Sequence, residues 1–261
     1  MATKPARRPP RLRRHGLRAR GRRGRRPAVT GEGRDADHAA RRDRAPDRAR
    51  SVHDPADGAA PLAGLLLTGG SSRRMGHDKG RIVVAGEPIA QRIARLVAAV
   101  AAPVLEVGPG LTGLDAVREE PPGGGPLAAI VAGAQALGRL GHRGPALVVA
   151  CDLPLLTADA LAVVADRPGG HSVLPVLDGR AQPLCARWSA HDLRAASVHL
   201  ARGERSLVGL PDRRHAELLD ELDWPAGVGA DELRDADTPA DLDALGVAWR
   251  PGDPRGGGTG R

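Results

Sequence analysis

Phenylalanine and tyrosine are absent from this chain of 261 residues, and tryptophan occurs three times. A core must therefore be built from Leu, Val, Ala and Ile, which suits the aliphatic strands of a parallel sheet covered on both faces. Cysteine is also scarce. Cys151 and Cys185 show no paired spacing, which argues against a disulfide framework or a structural zinc site. Both are expected to be small buried hydrophobes. No stretch approaches the ~18–20 apolar residues of a membrane span, and no apolar run follows the basic N-terminus as it would in a secretory signal. A cytoplasmic chain without a membrane partner is expected.

Charge is plentiful but unevenly placed. Residues 1–60 hold 18 Arg and Lys against 7 Asp and Glu, leaving 21 basic and 24 acidic residues of the chain's 39 and 31 for the remainder. The net charge of +8 thus belongs to the N-terminal segment, and a nucleic-acid partner is not expected for the folded part. Residues 1–58 have too few large apolar side chains to offset the entropy of ordering. They are expected to be a disordered basic arm, or a segment ahead of a later start at Val52. Residues 59–250 are read as one domain and 251–261 as a Gly-rich tail.

Within that domain, apolar runs alternate with helical periodicity. Leu62–Leu67 reads as a buried strand ending in Thr68-Gly69-Gly70. Pro88–Val100 has apolar residues at helical spacing behind a Pro. Further strands are expected at Val104–Val107, Ala116–Val117, Ala146–Cys151, Ser172–Val176 and Pro183–Ala186, and further helices at Pro126–Leu140, from Thr157 to Asp166, at Ala190–Arg202 and from Asp241. Strand–helix alternation implies an α/β domain with a single doubly wound, mostly parallel sheet. Ligands of such sheets bind outside the carboxyl ends of the strands. The loops at Thr68, Val107, Arg118 and Cys151 should then share one edge.

The segment LLLTGGSSRRMGHDK, Leu65–Lys79, follows the first strand. Its glycines allow close approach of backbone N–H groups to an anion, and Arg73, Arg74 and Lys79 can neutralise phosphates. It is neither a G-x-G-x-x-G nor a Walker A loop. On spacing alone, a phosphate loop and an ordinary surface turn both remain open. Asp152 follows the ALVVAC strand, where a buried carboxylate is costly unless paired. A divalent cation and a helix-start Asp both account for it.

The segment resembles the signature of the molybdenum cofactor guanylyltransferase family (MobA-like NTP transferases), L-A-G-G-x-S-x-R-M-G-x-D-K. It is met by Leu67, Gly69, Gly70, Ser72, Arg74, Met75, Gly76, Asp78 and Lys79, with Thr68 where the family usually has Ala. Glu119-x-x-Pro122-Gly123-x-Gly125-Pro126-Leu127 is similar to the family's D-x-x-P-G-x-G-P-L. Cys151-Asp152-Leu153-Pro154 resembles its C-D-x-P, and Gly179 to Leu184 its G-x-x-Q-P-L. Asp235 to Leu242 resembles N-x-N-T-P-x-D-L with Asp in place of both Asn.

This resemblance implies a Rossmann-like nucleotidyltransferase fold and transfer of GMP from GTP to molybdopterin, with Mg²⁺ as cofactor. It implies catalytic roles for Lys79, Asp152 and Arg74. Nucleotide contacts would come from Leu67, Thr68, Gly69, Gly70, Lys79, Glu119 and Asp152, and metal contacts from Asp152 and Asp237. Gln182 and Pro183 would lie on the acceptor side. Gly70 favours guanine, since cytidylyl-transferring relatives often have Ala there. Two alternatives stay open: a related transferase using CTP or another phosphate acceptor, and a degenerate nucleotide-binding module whose basic arm docks on nucleic acid or a partner.

Overall fold

In the computed structural model of the protein, residues 61–69, 78–220, 223–225 and 227–252 are described. The expected arm, and all of the expected tail beyond residue 252, lie outside them. The chain runs through β1 (Ala63–Leu67), β2 (Val83–Val84), β3 (Glu87–Pro88), α1 (Ile89–Ala98), β4 (Val104–Val107) and β5 (Ala116–Val117). It continues with α2 (Gly125–Arg139), β6 (Ala146–Ala150), α3 (Ala158–Ala165), β7 (Val173–Leu177), β8 (Arg180–Ala181) and β9 (Cys185–Trp188). The last elements are α4 (Ala190–Ala201), β10 (Glu217–Leu219), α5 (Pro239–Ala244) and β11 (Trp249–Arg250).

Seven strands form the path β10-β7-β9-β6-β1-β4-β5, with β8 paired to β7. β1 lies between β4 and β6 and is parallel to both, and β5 continues parallel to β4. β9 runs antiparallel to its neighbours β6 and β7. The expected doubly wound, mostly parallel sheet is therefore present.

The alternation of side chains along β1 decides how the sheet is covered. Leu66 points to one face, with Leu147 and Val149 of β6, and packs with Ile93 and Val97 of α1 and Leu161 and Val164 of α3. Leu65 and Leu67 point to the other face and pack with Leu127 and Ile130 of α2 and Leu193 of α4. Each such Leu contributes about 1.5–3 kcal/mol by leaving water. Trp188 is fully buried in this second cluster, where its indole N–H donates to the carbonyl of Pro183. Cys151 and Cys185 are free and buried, as expected.

Helix starts follow local chemistry. Thr157 and Ser189 cap α3 and α4 by accepting the backbone N–H groups of Ala160 and Asp192. Thr238 caps α5 in a reciprocal capping box with Asp241. The strand expected at Pro183–Ala186 is instead Cys185–Trp188, because Gln182 and Pro183 belong to the turn that reverses the chain after β8.

A second, three-stranded sheet, β11-β2-β3, accompanies the expected one. It is antiparallel throughout. Ile82 and Val84 form a small core with Ala236 and Leu242, against which Val247 and Trp249 pack. This layer joins residues near position 83 to residues near position 240. Among the described residues, no helix is long and apolar enough to cross a membrane.

Candidate active site

β1, β4, β5 and β6 end side by side, with Leu67 in register with Val107 and Ala150, and Val107 with Val117. The four loops expected at one edge do share it. A cavity of about 640 Å³ opens there, lined by residues that include Leu67, Thr68, Gly69, Lys79, Glu119 and Asp152. Six of the predicted site residues thus meet in one cavity. Gly70, Arg73 and Arg74 lie outside the described residues.

The cavity's walls come from several segments, with Lys79 and the Ala150–Asp152 end of β6 among them. Leu67–Gly69 form another. Glu119 stands on the loop after β5, where its carboxylate accepts the N–H of Gly123 at 2.9 Å. That bond shapes the Gly-rich turn into α2, whose first residues Gly125 and Pro126 reach the cavity. A helix N-terminus there favours a bound anion. Leu184 also lines the cavity. Gln182 and Pro183 precede it in the turn but are not among the residues lining the cavity, and the Gln182 side-chain amide donates to the carbonyl of Arg180.

Lys79 is positioned by Asp78, whose carboxylate caps a 3₁₀ turn at Lys79–Arg81 by accepting the N–H of Gly80. The ammonium of Lys79 donates to Asp237 and lies 3.5 Å from Asp152. Burial alone would lower the pKa of Lys79, but the two carboxylates outweigh it and hold the group above the ordinary lysine range. The side chain is therefore a fixed positive charge. Asp152 shows the opposite balance: burial, together with repulsion from Asp235 and Asp237, outweighs the pull of Lys79 and raises its pKa.

Asp152, Asp235 and Asp237 each place one carboxylate oxygen within 4.8 Å of the others. The backbone holds them together: the N–H of Ala236 donates to the carbonyl of Asp152 at 2.9 Å, and the N–H groups of Asp237 and Thr238 donate to Asp241. Three hard oxygen donors beside a cavity suit a divalent cation of the Mg²⁺ type. Sequence reasoning named Asp152 and Asp237 but missed Asp235, although the alternation in Asp235-Ala236-Asp237 put it two residues away. It also missed Glu106, a fully buried carboxylate on β4. A charged residue inside the aliphatic strand VLEV was the signal available.

A phosphate-favouring edge with a fixed lysine and a carboxylate cluster is the site of a nucleotidyltransferase. Residues 64–218 match the model of the MobA-like NTP transferase domain. The chain belongs to the MobA-like NTP transferase family. It is 38% identical over 157 residues to a protein of Opitutus terrae named "probable molybdenum cofactor guanylyltransferase", an alignment covering 57% of this chain and 77% of that one. A protein of the same name from Mycobacterium tuberculosis is 34% identical over 173 residues, covering 62% and 81%. The fold is similar to the crystal structure of molybdopterin-guanine dinucleotide biosynthesis protein A from Archaeoglobus fulgidus, with a TM-score of 0.55 at 18% identity over 70% of this chain and 96% of that one.

Proposed function

We propose that this enzyme transfers GMP from GTP to molybdopterin with release of pyrophosphate, using Mg²⁺. The observation that carries this reading is the meeting of Lys79 and Asp152 in the cavity bounded by Thr68 and Gly69. The names of the relatives supply the base and the acceptor. A cytoplasmic setting belongs to the same reading.

The loop from Leu67 to Gly70 receives the nucleotide, with Glu119 on the same wall. Lys79 lies against the phosphates, and Arg74, from the same signature, adds a second positive charge. Asp152, Asp237 and Asp235 would hold the cation, which would offset the charge that develops on the phosphate oxygens. Gln182 and Pro183 face the acceptor. A phosphate oxygen of molybdopterin attacks the α-phosphorus in line, a new P–O bond forms, and the bond to the β-phosphate oxygen breaks. The protein contributes position and charge, and no covalent intermediate on a side chain is required.

Pyrophosphate release from GTP, measured with and without molybdopterin, tests the reading. Release that depends on molybdopterin is expected. Faster release from CTP than from GTP would overturn the choice of base, and release unaffected by molybdopterin would overturn the acceptor.

A further inference from the structure

Thr68 departs from the signature this segment resembles, and Glu106 interrupts a strand that is otherwise aliphatic. The structure joins the two. The Thr68 hydroxyl donates to Glu106 at 2.5 Å, across 38 positions of sequence. The same carboxylate accepts the backbone N–H groups of Gly110 and Leu111 at 2.8 Å, and that of Thr112 at 2.9 Å. The Thr112 hydroxyl donates to it as well, at 2.7 Å. Glu106 is 0% exposed, so its charge rests on these five neutral donors. Burial pushes its pKa up, but the bonds from Thr68, Thr112 and the loop amides outweigh burial and leave it below the ordinary carboxylate value.

The loop that wraps the carboxylate touches the other end of the signature. A Cβ at Gly80 would lie 2.5 Å from Cδ1 of Leu111, so Leu111 seats directly on the backbone beside Lys79. Position 108 must also be bare. A Cβ there would lie 2.1 Å from the Thr68 hydroxyl oxygen, so the hydroxyl could not stay where it bonds Glu106. One buried carboxylate therefore holds Thr68 directly and Gly80 through Leu111.

We propose that Glu106 is a positioning residue for nucleotide binding: with the Thr68 hydroxyl it clasps both ends of the stretch from Gly69 to Asp78, and so sets Lys79 against the Thr68–Gly69 wall of the cavity. It does not touch the substrate, since all of its bonds are spent on the protein. An Ala at position 68, usual in the resembled signature, has no hydroxyl to give. The proposal rests on the reading of the cavity as the GTP site.

The test compares the full-length chain with Thr68→Val, which keeps the shape and removes the donor, and with Thr68→Ser, which restores it. Loss of one bond to a buried charge is expected to weaken GTP affinity by about tenfold in Thr68→Val. Thr68→Ser should lie within about twofold of the native affinity. Amide hydrogen exchange in the free proteins should quicken together over residues 78–82 and 108–114 in Thr68→Val, and return in Thr68→Ser. Faster exchange over 108–114 alone would overturn the clasp, as would unchanged GTP affinity in a native protein that binds GTP. A native protein that fails to bind GTP would instead sink the functional reading, and the exchange pattern would still decide the clasp.

Discussion

Asp152 and Lys79 reach the same cavity by different routes. Asp152 follows β6, a strand buried on both faces whose neighbours are fixed along its whole length. Lys79 begins the segment leading to β2, and its partner Asp237 is 158 residues away, just before α5. The two are brought together by the small sheet and its core of Ile82, Val84, Ala236 and Leu242. The large sheet supplies a rigid edge, whereas the small sheet carries a charge to that edge. A site assembled across two layers depends on the weaker layer for its geometry, even though the stronger one dominates stability.

The largest effect should come from removing either charge. Asp152→Ala and Lys79→Ala should each lower GMP-transfer turnover by about 10²–10³-fold, the scale of losing one preorganised electrostatic contact. Circular dichroism should report an intact fold in both. Retained turnover in either variant would remove that residue from the chemistry.

The contrast between the layers is sharpened by paired truncations. Leu66→Ala opens a cavity between β1 and α1 and should cost about 2–5 kcal/mol of global stability by urea unfolding. Leu242→Ala should cost less global stability but should quicken amide exchange over residues 82–84 and 236–245. Its loss of turnover should exceed that of Leu66→Ala once both are assayed well below their unfolding transitions. Equal losses would show that the small layer has no special hold on Lys79 and Asp237.

A smaller effect is expected within the carboxylate cluster. Asp235→Asn should raise the Mg²⁺ concentration for half-maximal turnover by about tenfold, as for a weakened metal-binding shell. An unchanged Mg²⁺ dependence would leave Asp235 as a neighbour and not a ligand.

The smallest effect concerns pH. The folded-state pKa of Glu106 lies below its ordinary value of 4.5. Its contribution to stability is therefore complete above about 4.5 and is lost as pH falls through the folded value. Urea unfolding between pH 3 and 6 should show this acid limb in the native chain and a flatter one in Glu106→Gln.

Much of the large sheet was legible from residue order alone. β1, β4 and β6 are short, mainly aliphatic runs with turn residues behind them, and α1 to α4 have periodic apolar stripes or capping hydroxyls. These signals are local, so no knowledge of distant contacts is needed to read them. The signature from Leu67 to Lys79 and the Asp152 that follows β6 were legible for the same reason, because their spacing is local in the sequence.

Tertiary structure alone decided the small sheet, the pairing of Lys79 with Asp237 and the role of Glu106. Strands of two residues, such as β2, β3 and β11, have no periodicity to detect, and they gain order only by closing on each other across the length of the domain. The donors around Glu106 are mostly backbone N–H groups of Gly110, Leu111 and Thr112, which every residue but proline possesses. Residue identity cannot say where those groups will point. Folding decides it, by turning the loop after β4 back over a carboxylate that burial would otherwise penalise.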